Sequence, residues 1–204
     1  MKKNFIVYTF IIFVLTSLTI FAEREVDFEK LEYDEKTELL YVEGEKEAFT
    51  GIAKYYSKDE SSIFEFPYKN GKKEGRGKEY YLNGKFKSDA FFIDGLLQGK
   101  SIGYYENGNL KADLFYKNDM LDGTVIEYLE DGKKTSVSNY KNGKLEGEKL
   151  SYYKNGSLYI EANYSNDELD GDIKVYKKNG DLDYTAPCEL LTTNTLRVLE
   201  SRAS

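Results

Sequence analysis

Apolar and polar residues alternate with a period of two through much of the chain. In 158–164, the residues at 158, 160, 162 and 164 are apolar, and those between them are mostly polar. This alternation predicts a β-strand with one buried face. One unit earlier the corresponding positions hold Lys134, Ser136, Ser138 and Tyr140, so the predicted buried face is not apolar throughout.

The strand pattern recurs every 24 residues without an insertion or deletion. Three series of residues mark the period: Gly51, Gly75, Gly99, Gly123, Gly147 and Gly171; Tyr56, Tyr80, Tyr104, Tyr128, Tyr152 and Tyr176; and Tyr68, Phe92, Tyr116, Tyr140 and Tyr164. A fixed period of this length indicates a tandem repeat protein. From the second unit onward, we predict that these glycines and aromatic residues form the structural core of the repeats.

Two sets of turn residues separate the strands in each unit. The first set is Asn83-Gly84, Asn107-Gly108, Asp131-Gly132, Asn155-Gly156 and Asn179-Gly180, and the second is Asn70-Gly71, Asp94-Gly95, Asn118-Asp119, Asn142-Gly143 and Asn166-Asp167. Asn-Gly between strands favours a two-residue turn with positive φ at both central residues, and the second set tolerates left-handed φ as well. The expected fold is therefore all-β: an elongated antiparallel meander of 24-residue β-hairpins, about 12 strands in a single curved sheet.

The recurring glycines fall in or at the start of strands, where glycine normally costs stability. We expect a neighbouring tyrosine ring to lie across each bare backbone. The leucines two residues before them, such as Leu97 and Leu145, are then expected to pack beside the rings.

The ends of the chain depart from the repeat. Residues 1–22 join a basic start, Met1 to Asn4, to the uncharged and mostly apolar stretch Phe5 to Phe21, which predicts a signal peptide cleaved after Ala22. An uncleaved membrane anchor is the alternative. Either places the rest of the chain in the periplasm, at the cell surface or outside the cell. Residues 23–50 are predicted to form an N-terminal β cap, 51–184 the repeats, and 185–204 a tail that is a short helix or disordered.

Composition excludes several functions. The chain has 36 acidic and 29 basic residues, for a net charge of -7, which argues against binding nucleic acid. Histidine is absent, and with it the commonest general base and metal ligand. We therefore predict no catalytic residue, no cofactor and no metal.

Cys188 is the only cysteine, so it makes an intermolecular disulfide, stays a free thiol or packs in the predicted C-terminal cap.

Acidic residues precede three of the recurring glycines, at Asp122, Glu146 and Asp170. Their spacing is compatible with a row of calcium sites. Solvated turns are the favoured interpretation, because the adjoining glycines and lysines offer no cage of oxygen ligands.

One repeat carries a resemblance to a known family. Residues 140–147, YKNGKLEG, followed by 152–158, YYKNGSL, resemble the MORN repeat, and more closely its bacterial variant. The match extends over about residues 49–184, with Lys134 in place of the usual leucine and with Asp119 and Asp167 in place of glycine. The resemblance implies hairpin sheets that contact proteins or membrane lipids, and members of the variant family are often described as antitoxin-like.

These observations predict an exported, non-enzymatic protein-interaction scaffold whose partner is another protein. An antitoxin or immunity protein that binds a toxin is the first alternative. A carbohydrate- or lipid-binding module is the second, with the tyrosine rows as a stacking platform for sugar or peptide. The binding residues themselves cannot be assigned from the sequence.

Overall fold

The computed structural model describes residues 24–57 and 61–187, so the predicted signal peptide, Cys188 and nearly all of the tail lie outside the described residues. Within those ranges the chain forms strands, turns and one turn of 3₁₀ helix at Phe28–Lys30. The strands, in chain order, are β1 (Glu25–Asp27), β2 (Leu31–Asp34), β3 (Leu39–Val42), β4 (Gly51–Tyr56), β5 (Ser62–Lys69), β6 (Lys72–Lys73), β7 (Gly75–Tyr81), β8 (Phe86–Ile93), β9 (Leu96–Tyr104), β10 (Leu110–Lys117), β11 (Met120–Leu121), β12 (Gly123–Tyr128), β13 (Lys134–Lys141), β14 (Lys144–Tyr152), β15 (Leu158–Ser165), β16 (Glu168–Leu169), β17 (Ile173–Tyr176) and β18 (Leu182–Ala186).

Almost all of these strands belong to one sheet. The sheet runs β1-β4-β5-β7-β8-β9-β10-β12-β13-β14-β15-β17-β18, and the short strands β6, β11 and β16 pair with β5, β10 and β15. From β4 to β18 every neighbour along this order is the next long strand in sequence, and every pairing is antiparallel. The predicted all-β meander of hairpins is therefore confirmed.

The N-terminal segment joins this sheet in a way that the hairpin pattern does not predict. β1 lies parallel to β4, with Val26 opposite Ala53, so it covers the edge of the first repeat strand. β2 and β3 form a separate antiparallel pair. Leu40 and Phe49 are buried together with Ala53, and they connect this small hairpin to the end of the large sheet.

The two sets of turns differ in conformation. In the second set both central residues have positive φ, for example 51° at Asn142 and 82° at Gly143. In the first set only the glycine does: within 24–57 and 61–187, positive φ is found at Gly84 but not at Asn83. The prediction of a two-residue turn is therefore wrong for the first set. These are three-residue loops, in which a type I turn is followed by a left-handed glycine.

Hydrogen bonds explain why the first set nevertheless keeps Asn or Asp. The Gly84 amide donates to the Tyr81 carbonyl and the Tyr81 amide to the Lys85 carbonyl, which closes the loop around three residues. The Asn83 side chain accepts from the Lys85 amide at 3.0 Å, and Asp131 accepts equivalently from Lys133. The Asn side chain thus mimics a backbone turn instead of supplying positive φ.

The recurring glycines are required by the backbone and not by aromatic packing. All six have positive φ, from 72° at Gly99 to 151° at Gly51. A Cβ added at Gly99, Gly147 or Gly171 would meet nothing within 4 Å. The expectation that tyrosine rings lie across these glycines is therefore wrong, and the positive φ, which side chains disfavour, is the physical reason for the series.

The five glycines from Gly75 to Gly171 each lie where the strand register shifts. Between the pairs Asp89–Ile102 and Phe92–Leu97, three residue steps on β8 face five on β9, so β9 holds two extra residues. The same shift occurs in β14, between Ser138–Lys149 and Tyr140–Leu145. An irregularity of this kind bends the strand and needs a residue that tolerates positive φ.

Phenylalanine side chains do lie against some glycines. A Cβ added at Gly51 would meet the Phe49 ring at 3.1 Å, and one added at Gly123 would meet the Phe115 side chain at 3.3 Å, but the closest covering is at Gly77. The Gly77 backbone lies under the rings of Phe66 and Phe92, and an added Cβ would overlap the Phe66 ring. The two rings meet edge to face with their centroids 5.5 Å apart, and the Lys73 ammonium lies 4.2 Å from the Phe66 centroid.

The two faces of the sheet differ in exposure. The face that carries Ala53, Val125, Ser138, Ala162 and Ile173, here called the buried face, contains the least accessible side chains of the repeats. The opposite side, here called the open face, carries the tyrosine series from Tyr80 to Tyr176, whose members are half-buried. The two faces follow from the alternation of side chains along each strand.

Successive repeats are joined at the turns by hydrogen bonds in addition to the strand ladder. The Gly143 amide donates to the Leu121 carbonyl at 2.8 Å, and the Asp167 amide donates to that of Leu145 at 3.1 Å. At Asp119 and Asp167, which replace the usual glycine, the carboxylates accept from the amides of Leu97 and Leu145 at 2.7 Å. The two replacements thus lose the conformational freedom of glycine, but each gains a hydrogen bond to the preceding repeat.

Two glycines with opposite backbone requirements provide a test. Gly147→Ala should destabilise the fold by about 1–2 kcal/mol, because alanine must adopt a φ of 87° there. Gly103→Ala should be neutral or stabilise by about 0.5–1 kcal/mol, because Gly103 does not have positive φ and a Cβ there makes an ordinary 3.9 Å contact. Urea unfolding of both variants checks this. Equal effects at the two sites would contradict the backbone explanation.

Candidate interaction surface

The open face carries a row of large side chains near its three-residue turns. Each member of the tyrosine series lies opposite the first residue of the following strand: Tyr80–Phe86, Tyr104–Leu110, Tyr128–Lys134, Tyr152–Leu158 and Tyr176–Leu182. We call these ten residues the open-face row. The Phe86 ring lies 5.8 Å from the Tyr80 ring and 5.6 Å from the Tyr104 ring, so the row is in contact across these two repeats.

Lys134 interrupts the row, and several of its apolar side chains are accessible. Phe86 and Leu110 are each 37% exposed, and Leu182 is 52% exposed. Phe115, elsewhere on the same face, is 46% exposed. Single exposed apolar residues are ordinary, but a row of them is a feature of interaction sites.

Charged pairs lie beside the row on the same face. Lys100 pairs with Asp113 at 2.8 Å, Lys174 pairs with Glu161 at 2.5 Å, and Arg76 pairs with Asp89. Hydrogen bonds from the Lys174 ammonium and the Tyr176 hydroxyl lower the pKa of Glu161. An apolar strip bordered by ion pairs resembles the centre and rim of a protein interface.

The second aromatic series lies on the buried face. Phe92 is buried, and Tyr68, Tyr116, Tyr140 and Tyr164 are half-buried. Burial raises the pKa of Tyr68 to about 12, with a smaller contribution from Tyr55. The structure therefore separates the predicted core residues: the two aromatic series lie on opposite faces, and Gly147 and Gly171 are exposed.

A third tyrosine series joins the repeats, and the sequence analysis did not assign it a role. The hydroxyls of Tyr81, Tyr105 and Tyr153 donate to the carbonyls of Tyr104, Tyr128 and Tyr176, at 2.7, 2.6 and 2.8 Å. The same 24-residue spacing was the signal that could have identified it. Leu129 occupies the equivalent position in one repeat and has no hydroxyl.

Of the three acidic residues predicted before the glycines, Asp122 and Glu146 cap turns. The Asp122 carboxylate accepts from the Asn142 amide at 3.1 Å, and the Glu146 carboxylate accepts from the Asn166 amide at 3.0 Å. Glu74 makes the same bond to Asp94 at 2.9 Å. Among the residues that the structure describes, no group of three His, Cys, Asp or Glu side chains is arranged to hold a metal.

Neither 24–57 nor 61–187 contains a helix of the length and hydropathy needed to cross a bilayer.

The comparison with protein families agrees with the repeat architecture. The family described as MORN repeat variant matches the sequence four times in tandem, at residues 73–94, 97–118, 121–142 and 145–166. Among solved structures, the chain is similar to the Glycosylation Associate Protein (Gap123) complex from Streptococcus agalactiae, with 11% identity and a TM-score of 0.33. That similarity covers 85% of this chain and 26% of the other, so this chain spans about a quarter of its length. No curated protein matches.

The raised pKa of Tyr68 predicts a specific loss of stability in alkali. A tyrosine that ionises at about 12 when folded and about 10 when unfolded stabilises the fold fully below pH 10. This stabilisation is lost as the pH rises from about 10 to about 12. The free energy of unfolding should therefore fall less steeply over this range in Tyr68→Phe than in the wild type, measured by urea unfolding. Tyr33→Phe, which removes a phenol that is 61% exposed, is the control. Equal pH slopes in Tyr68→Phe and the wild type would contradict the assignment.

Proposed function

With four tandem repeats of the MORN variant, this is a MORN-repeat protein, and we propose that it is an exported scaffold that binds another protein along the open-face row. MORN repeats typically mediate interactions with proteins or membranes, and the family is generally a non-catalytic repeat scaffold.

The open-face row is the observation that carries the proposal. Aromatic side chains at the centre of an interface supply most of the binding energy, and polar groups around them exclude water and select the partner. Phe86, in ring contact with two tyrosines, fits the first role, and the Lys100–Asp113 pair fits the second. The surface is long because each repeat adds the same pair of positions.

The net charge of the chain indicates what kind of surface the partner carries. The net charge of -7 becomes -9 if residues 1–22 are removed with Lys2 and Lys3, since 27 minus 36 is -9. An acidic chain attracts basic surfaces at long range and repels anionic bilayers. We therefore favour a protein with a mixed apolar and basic surface over a lipid headgroup.

Export is supported by the N-terminal sequence. A basic start, an uncharged apolar stretch and Ala22 before the charged run at Glu23 have the layout of a secretory leader. An antitoxin that meets its toxin in the cytoplasm does not need such a leader. Under this proposal an immunity role applies to a toxin met outside the cytoplasm.

A pull-down with a surface variant tests the proposal. The tagged chain is used to capture proteins from envelope and culture-medium fractions, and bound proteins are identified by mass spectrometry. Phe86→Ser should weaken binding of the captured partner by about tenfold or more, because it removes an aromatic anchor. Leu82→Ser is the matched control: Leu82 is 55% exposed and lies in the adjacent turn, but it is not part of the row.

The outcomes separate the alternatives. One stoichiometric partner that is lost with Phe86→Ser and kept with Leu82→Ser supports the scaffold, and a toxin as that partner indicates an immunity protein. Equal binding by both variants, or capture of lipid or glycan without protein, would refute the proposed surface.

A further inference from the structure

The buried face contains a polar patch at β12–β14, next to the apolar cluster at β15 and β17. Across β12, β13 and β14, Glu127 lies opposite Ser136 and Ser136 lies opposite Ser151. In the adjacent row Ser138 lies opposite Lys149. One strand further on, the same rows hold Ile160 and Ala162, which belong to a buried apolar cluster. The polar side chains of β12–β14 therefore lie directly beside an apolar cluster on the same face.

This patch lines a cavity. Its volume is about 340 Å³, and its walls include Glu127, Ser136, Ser138, Tyr140, Lys149 and Ser151. Binding sites for small molecules occupy about 300–1,000 Å³, so the cavity is large enough for a small ligand. Leu129 and Thr135 complete part of its rim.

Comparison with the equivalent unit, 48 residues earlier, shows what opens the cavity. There Tyr81 takes the position of Leu129, and its hydroxyl reaches the Tyr104 carbonyl at 2.7 Å. Lys87 takes the position of Thr135, and its ammonium binds Glu79 at 2.8 Å and Ser62 at 2.6 Å. The Lys87 ammonium also lies 5.4 Å from the centroid of the Tyr81 ring. Long side chains thus cover that unit, and Leu129 and Thr135 are too short to do so.

A hydrogen-bonded pair of serine and glutamate lies below these covering positions in both units. Ser88 donates to Glu79 at 2.7 Å, and Ser136 donates to Glu127 at 2.7 Å. In the unit that contains Ser88, Lys87 also binds the Glu79 carboxylate. Burial raises the pKa of Glu79, but the hydrogen bonds from Lys87, Ser88 and Ser62 outweigh this effect and leave the pKa lowered. The two units therefore share a polar floor and differ in the residues above it.

The chemistry of the lining indicates the class of ligand. Ser136, Ser138 and Ser151 are hydroxyls that both donate and accept hydrogen bonds, Glu127 accepts and Lys149 donates. The Tyr140 ring adds an apolar wall that can stack on the carbon face of a sugar. Groups of this kind match a neutral molecule with many hydroxyls. A free anion fits less well because Glu127 repels it, and a lipid chain fits less well because most of the lining is polar.

A peptide added as an extra strand does not suit this position. Such a peptide pairs with the exposed edge of a sheet. β12, β13 and β14 are each paired with a neighbour on both sides, so their backbone groups are already in the ladder. Recognition here must come from side chains.

We propose that the cavity on the buried face at β12–β14 binds a saccharide of roughly one or two rings. The cavity shares Tyr152 with the open-face row, but its polar side chains lie on the buried face, and the proposal does not depend on the proposed protein partner. Leu129 and Thr135 leave it open, Glu127, Ser136, Ser138, Lys149 and Ser151 hydrogen-bond the ligand hydroxyls, and Tyr140 stacks on the ring.

Saturation-transfer NMR and calorimetry on the full chain test the proposal, with glucose, galactose, mannose, N-acetylglucosamine and cellobiose as probes. At least one should bind with a Kd of about 1 mM or tighter. Ser136→Ala should weaken that binding about tenfold, because a hydroxyl that orders the site is lost. Ser88→Ala, the same change in the covered unit, should leave it unchanged.

A second variant fills the cavity. The double substitution Leu129→Tyr with Thr135→Lys copies the covered unit and should abolish saccharide binding, while thermal unfolding confirms that the variant is folded. Binding lost in both Ser136→Ala and the folded double variant supports the site. Absence of binding by all five sugars at about 10 mM, or binding that Ser136→Ala leaves unchanged, would refute it. Displacement of a bound sugar by an unrelated peptide at the same residues would also count against a saccharide site.

Discussion

The shift in register at the glycines from Gly75 to Gly171 determines the geometry of the repeat. Two extra residues on one strand need a backbone conformation that glycine alone adopts at little cost, and Gly99 and Gly147 supply it. The shift also places the preceding acidic residue next to the following repeat, where Glu146 caps the Asn166 amide. One backbone requirement thus links the curvature of a strand, the position of a cap and the stacking of turns.

The sequence predicted the architecture because the period and the alternation of side chains are local properties. The strands and the positions of both turns in each repeat follow from this period and this alternation. The two turn types were not separable, because Asn-Gly satisfies both: in one turn Asn has positive φ, and at Asn83 it accepts a hydrogen bond instead. The role of the glycines was also misassigned. A glycine covered by an aromatic ring and a glycine with positive φ both produce a recurring glycine in the sequence, so the sequence does not distinguish them.

The candidate sites were harder to predict, for a physical reason. Alternation assigns residues to one face or the other, but it does not say which face is accessible, and both faces here carry tyrosines. The polar positions Ser136 and Ser138 were visible in the sequence as a departure from the apolar pattern. Their meaning depends on Leu129 and Thr135, which lie beside them only in the folded sheet. Positions that differ between repeats were therefore the most informative signal for the candidate sites. Positions that stay the same in every repeat were the most informative signal for the fold.

The connectivity of the meander has a consequence for how the chain folds. From β4 onward each long strand pairs with its neighbours in sequence, so hairpin formation requires only short loops to close. The entropy lost on closing a short loop is small, and proteins dominated by such local contacts fold faster than β-sandwiches of similar size. Folding can begin at any hairpin and extend in both directions, as in other repeat arrays. The parallel pairing of β1 with β4 breaks this rule, because it encloses the intervening β2–β3 hairpin, and we expect the amides of β1 to gain protection from hydrogen exchange after those of the central repeats.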